Sequence, residues 1–383
     1  MGCWKKCIGT LLIIFICQQA ITAQSTLSTK QSGAEKKNKK IQVVVLPSIG
    51  YTLQTSWAAV LSTNISFKSS NKGESTAKIS VINGSINATI KKQIIVPIQA
   101  SIWSKNGKWS WISDFRYMKY PSVTYGLGIN TLAKDEFSIK YGYVKLHQTV
   151  LRGINKNLFI GGGIYYDRFD AVKQLNIPAG TITAFDKYGF SSSSSTTGPV
   201  LRILYDSRNN PTTPKNGWLI NACIRNNLKL FGSNVNSTFL LFEWRKYFSF
   251  PKKSNNTLAI WNYYNYTLSG NPYYLMLPST GWDDNYNTGR GYIQGRFRDK
   301  NMNYAESEYR FQLSKNEKWG GVIFVNGSSF ETSWQKSFSK LAFGYGLGIR
   351  FQLNKTSKTN LCVDYAWGRE HSHGIFVNIG EVF

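Results

Sequence analysis

Between Leu341 and Leu353 the chain alternates without a break. Leu341, Phe343, Tyr345, Leu347, Ile349, Phe351 and Leu353 fall on one face, and Ala342, Gly344, Gly346, Gly348, Arg350 and Gln352 on the other. A repeat of two residues marks a strand with two unlike faces. The split recurs in 304–313, where Tyr309, Phe311 and Leu313 oppose Glu306, Glu308, Arg310 and Gln312. It recurs in 361–367, where Leu361, Val363, Tyr365 and Trp367 oppose Cys362, Asp364 and Ala366, and in 218–230, where Asn221, Cys223, Arg225, Asn227 and Lys229 form the polar face. In a soluble sandwich the apolar faces would meet in a core. Here too many strands show the pattern, and the opposite faces carry charge and glycine, as in a barrel with lipid outside and water inside.

Such segments run from 42–50 to 374–383, and their number is about 16, the kind of even count that bacterial barrels favour. The count takes Asn83-Gly84 as a hairpin turn between two strands. The fold class expected is therefore all-β: a single closed antiparallel transmembrane β-barrel over 42–383. No segment after the first 23 residues approaches the roughly 20 apolar residues of a transmembrane helix, and only a closed barrel then satisfies every backbone polar group in lipid.

Residues 1–23 read as a cleaved secretory signal: Lys5 and Lys6, an apolar run from Ile8 to Cys17, then small residues ending at Ala23. Residues 24–41 are polar, rich in Ser and Lys, and without periodicity, which reads as a disordered leader. Three of the five cysteines leave with the signal, and Cys223 and Cys362 are expected to stay unpaired. The formal charge is +26, or +24 once Lys5 and Lys6 are gone. In a soluble protein that excess would point to nucleic acid. In an exported chain the expected partner is outer-membrane lipid, including anionic headgroups, and not nucleic acid.

With the N-terminus in the periplasm, the odd-to-even connections face outward. These include Ala171–Ser194, the stretch around Arg290, and Gly368–Gly374, and they are longer than even-to-odd turns such as Asn209–Lys215. The stretch Thr288-Gly289-Arg290-Gly291-Tyr292 to Asp299 is too charged and glycine-rich for a strand, yet strands flank it. Connections of such length between strands usually have work of their own.

Arg290-Gly291-Tyr292 resembles the Arg-Gly-Phe/Tyr signature of the bacterial surface antigen barrel, the membrane part of the superfamily of BamA- and TamA-type assembly proteins and two-partner secretion transporters. Tyr205–Asn210 with Pro214 and Gly217, Glu308-Tyr309-Arg310-Phe311, Phe324–Gly327, Tyr345–Phe351 and the ending Val377–Phe383 are similar too, in order and spacing. The resemblance implies 16 strands and a sixth outer loop folded into the lumen. It implies that Arg290 pairs with a carboxylate there, Glu308 first, with Glu306 and Asp364 in reserve. Gly291 would let the backbone approach the wall, and Tyr292 would pack behind it. Asn326 stands where the family commonly carries Asp, and periplasmic repeat domains are expected to be absent. Phe383, with Val377 and Ile379 on its face, resembles the signal by which barrels are delivered for insertion.

The function expected is outer-membrane protein assembly or protein translocation in the bacterial outer membrane, through a seam between the first and last strands. Unfolded outer-membrane proteins and a separate periplasmic partner are implied. The alternative is a passive pore or structural surface protein without a client, its selectivity set by Arg225, Lys229, Arg350 and Glu308. No enzyme, metal or cofactor is expected. His147 has no nucleophile motif beside it, and His371 and His373 read as plain loop residues.

Overall fold

The computed structural model describes residues 41–68, 79–252, 254–333, 340–354 and 358–383. The signal and most of the leader expected from sequence lie outside these residues. The described chain forms one sheet of 16 antiparallel strands in sequence order, curled into a nearly closed barrel. The strands are β1 (Ile41–Thr52), β2 (Ser56–Lys68), β3 (Ile79–Thr89), β4 (Ile94–Trp103), β5 (Trp109–Thr124), β6 (Phe137–Gly153), β7 (Leu158–Leu175) and β8 (Ser194–Asp206). They continue as β9 (Gly217–Asn227), β10 (Ser237–Ser249), β11 (Thr257–Gly270), β12 (Asn301–Gln312), β13 (Trp319–Glu331), β14 (Ala342–Asn354), β15 (Thr359–Gly368) and β16 (His373–Ile379). One short helix, α1 (Ala184–Gly189), interrupts the β7–β8 connection, with Thr183 as its N-cap. Among the described residues no helix is long and apolar enough to cross a membrane.

The alternation read from sequence decides which face is which. Along β14, Phe343, Tyr345, Leu347 and Ile349 stay exposed while Arg350 is buried, and on the neighbouring strands Asn326 and Asp364 are buried beside exposed Val325 and Val363. An apolar residue such as Tyr345, 58% exposed, has hydrocarbon as its natural surroundings in such a fold. The inward face instead buries charge and a few aromatic clusters.

Several expectations change. Asn83 and Gly84 lie inside β3, paired on both sides, and the turn falls at 90–93. The strand count survives because the split was right in number and wrong in place. β7 runs on to Leu175, so the connection after it begins later than Ala171. β9 ends at Asn227, and Lys229 opens a 3-10 turn, which removes it from the lumen-facing set. His373 opens β16 and its ring bonds to Tyr365 Oη at 2.7 Å, so it is not a loop residue. The last strand stops at Ile379. Gly380, at φ 88°, turns the final residues inward, where Val382 and Phe383 are buried, so Phe383 does not share the outer face of Val377 and Ile379.

The connections β5–β6 and β15–β16 and the long β11–β12 loop interlock at one rim. Arg296 reaches the Thr131 carbonyl at 2.8 Å and Glu370 at 3.0 Å, while Ala133 N donates to Glu370 at 2.7 Å. Beneath them Phe185 of α1 stacks on Tyr274, with ring centroids 4.4 Å apart.

Candidate functional site

The β11–β12 loop, residues 271–300, is mostly buried, and its residues bond to side chains of β5, β6, β12 and β15. Its centre is Arg290, whose side chain is almost wholly buried. Nη1 lies 2.6 Å from Asp364 Oδ2 on β15, and Nη2 bonds to both Glu306 and Glu308 on β12. The favoured partner and both reserves therefore converge on one guanidinium. Its plane lies over the Phe324 ring, 3.5 Å from the centroid. Burial alone would lower the Arg290 pKa, yet the carboxylates of Glu306, Glu308 and Asp364 raise it. A charge this deep persists only when paired and hydrogen-bonded. Arg310 and Arg350 complete the cluster: Arg310 binds Glu308, and Arg350 binds Asp364 and, at 2.8 Å, Glu381.

Close approach of backbones makes this possible. Gly291 adopts φ 102°, and a Cβ there would sit 2.6 Å from the Trp367 carbonyl. On the wall, a Cβ at Gly344 would lie 2.4 Å from the Arg290 carbonyl oxygen, and one at Gly348 would overlap Asp364. Gly344 thus leaves room for the loop backbone, while Gly348 leaves room for Asp364, a purpose the sequence pattern did not reveal. Asn326 donates from Nδ2 to the Arg290 carbonyl at 3.0 Å. Tyr292 Oη donates to the Phe343 carbonyl at 2.5 Å and accepts from Arg369 N at 3.0 Å.

A second attachment was not read from sequence. Asp284 accepts from Lys145 Nζ on β6 at 2.8 Å, and its carbonyl accepts from Arg116 on β5 at 2.6 Å. Asp114 ties Arg116 and Lys145 together from below, at 2.8 and 2.9 Å. Lys145 is the leading cause of a depressed Asp284 pKa. Further along, Arg298 caps the carbonyls of Tyr274, Leu275 and Leu277 without a carboxylate among the described residues, and burial lowers its pKa.

The turned-in chain end meets the same loop. Asn287 Nδ2 donates to the Val382 carbonyl at 2.7 Å, and Arg310 Nη2 donates to the Phe383 main-chain oxygen at 2.9 Å. The Phe383 ring packs 5.2 Å from that of Trp261. A cavity of about 720 Å³ remains beside it, lined by Arg202, Glu243, Arg245, Tyr263 and Asp284.

The seam is the other feature set apart. Every strand is laddered to its sequence neighbours, but among the described residues no ladder joins β1 to β16, although the two lie side by side. β16 has seven residues and β1 twelve, and Val43, Val44 and Val45 are exposed on both faces.

His147 Nε2 lies 2.9 Å from Asp167, which also binds Arg225 at 2.5 Å, and no serine hydroxyl bonds to this ring among the described residues. Cys223 and Cys362 are free thiols. No group of ligating side chains suited to a metal occurs among the described residues.

The fold is similar to that of BamA from Haemophilus ducreyi lacking POTRA domains 1–3, with a TM-score of 0.58 and 14% identity over 90% of this chain and 72% of that one. It is also similar to CdiB from Acinetobacter baumannii, with a TM-score of 0.53 and 11% identity over 90% of this chain and 60% of that one. No curated protein matches by sequence. The model of the Omp85 superfamily domain matches residues 48–383, and the chain belongs to the Omp85 superfamily.

Proposed function

We propose that this outer-membrane barrel assembles or translocates other proteins through the β1–β16 seam, with its β11–β12 loop folded into the lumen as a latch. The unladdered seam carries the reading. An edge with unpaired N–H and C=O groups is a template for an incoming strand, and β1, laddered to β2 on one side, has no ladder to the shorter β16 on the other. The clients implied are unfolded outer-membrane or secreted proteins, delivered by a separate periplasmic partner. The loop holds the wall next to the seam, because Arg290 binds β12 and β15 while Asn287 binds the chain end after β16.

The test is a tether. Cysteines at Ser48 and Asn378, with Cys223 and Cys362 changed to serine, are joined in liposomes by a short bis-maleimide whose linker carries a reducible disulfide. Tethering should stop the protein from accelerating insertion of a test barrel, and reagent cleavage should restore it. Unchanged acceleration after complete tethering overturns the seam mechanism. No acceleration in either state, together with ion conductance, would favour a passive pore.

A further inference from the structure

We propose that three outward-facing cation–aromatic pairs at the rim of the even-to-odd turns are binding sites for anionic phospholipid headgroups. Arg152 and Trp109 are direct cross-strand partners between β6 and β5, with the guanidinium carbon 5.7 Å from the ring centroid. Lys246 and Trp218 are direct partners between β10 and β9, at 4.4 Å. Lys318 sits 5.3 Å from the Phe351 ring, which is itself paired with Trp319. Trp109, Trp218 and Trp319 all remain substantially exposed, on the face turned away from the lumen.

The argument is one of missing counter-charge. The buried clusters around Arg290 and Lys145 contain their own carboxylates. Among the described residues no carboxylate pairs with Arg152, Lys246 or Lys318, and the basic turns beside them (Lys105, Lys108, Lys156, Lys215, Lys315) have only Glu317 among them. The loop-rich rim differs in degree, since Asp135, Glu136, Asp186 and Glu370 there stand among its cations. A cation at the edge of the apolar band, stacked on an aromatic that anchors at headgroup depth, leaves its other side for a phosphate. Lipid is favoured over a soluble acidic partner because the pairs face sideways, toward the bilayer.

The proposal rests on the barrel lying in a membrane, not on transport through the seam. The full protein is placed in nanodiscs of phosphatidylcholine with a minority of phosphatidylglycerol, and the lipids it retains are counted by native mass spectrometry. Wild type should retain phosphatidylglycerol in preference. Arg152→Gln, Lys246→Gln and Lys318→Gln should each remove about a third of that retention and the triple variant should lower it about fivefold, whereas Lys134→Gln with Lys187→Gln on the other rim should not. Heat-modifiable mobility of every variant checks folding. Equal retention of both lipids, or a triple variant that matches wild type, overturns the sites while leaving the membrane reading intact. A triple variant that loses binding to soluble polyglutamate but keeps phosphatidylglycerol assigns the rim to an acidic protein and overturns the lipid proposal.

Discussion

Lys145 Nζ lies 2.8 Å from Asp284 Oδ1, so the loop that offers a cation to β12 and β15 offers an anion to β6. Two attachments of opposite sign, on strands far apart in the sheet, fix the register of a long loop better than one could. Sliding the loop to improve either contact breaks the other.

Arg290→Ala removes one cation from three buried carboxylates, the situation in which a broken buried pair costs about 3–5 kcal/mol. The temperature at which the folded band gives way to the unfolded one on electrophoresis should fall sharply. Arg290→Lys should restore little of it, because an ammonium cannot span Glu306, Glu308 and Asp364 as the planar fork does. A folded band as heat-resistant as wild type would argue against docking.

The Asp284 attachment has a definite pH sign. Its carboxyl is held below the usual range by Lys145, then Arg116, so the unfolded chain takes up its proton first as pH falls. The stabilisation is complete above the ordinary aspartate pKa, about 4, and fades below it. The gap in heat resistance between wild type and Asp284→Asn should therefore be constant from neutral pH to about 5 and narrow in stronger acid. A gap that widens in acid would contradict the assignment.

Much of this was legible in the chain because strand alternation in a lipid-exposed barrel is a strict code: each residue faces either hydrocarbon or lumen. Leu341–Leu353 gave away its face, and Glu306, Glu308 and Asp364 followed from the same parity. What parity cannot show is distance around the barrel. Asp284 and Lys145 are 139 positions apart, and nothing local in either stretch points to the other. Asn83-Gly84 misled because asparagine and glycine favour tight turns, while here the ladders to β2 and β4 absorb them. The inward turn at Gly380 was hidden behind an apolar ending that fits a strand equally well.

Asn326→Asp should weaken this protein. Asn326 Nδ2 is a donor to the Arg290 carbonyl, and a carboxylate would set an acceptor against an acceptor beside three acids already present. The loss of that bond in a buried setting is worth about 1–3 kcal/mol. Thermal unfolding followed by loss of β-signal in circular dichroism should show a lower midpoint. An unchanged or higher midpoint would mean that the guanidinium, not the carbonyl, governs this position.

Phe383 and Ile379 should part company when each is changed to alanine. Phe383 is buried against Trp261, Tyr247 and Arg310, so Phe383→Ala opens a cavity and should cost about 3–5 kcal/mol of folded stability. Ile379 is 59% exposed on the outer face, and its truncation should leave the unfolding midpoint nearly unchanged. Both residues belong to the stretch that resembles an insertion signal, which would act before the strand has folded. Ile379→Ala and Val377→Ala should therefore slow insertion without lowering stability, and Phe383→Ala should do both. If Phe383→Ala slows insertion but leaves the midpoint unmoved, the inward turn at Gly380 is not maintained once the barrel has folded.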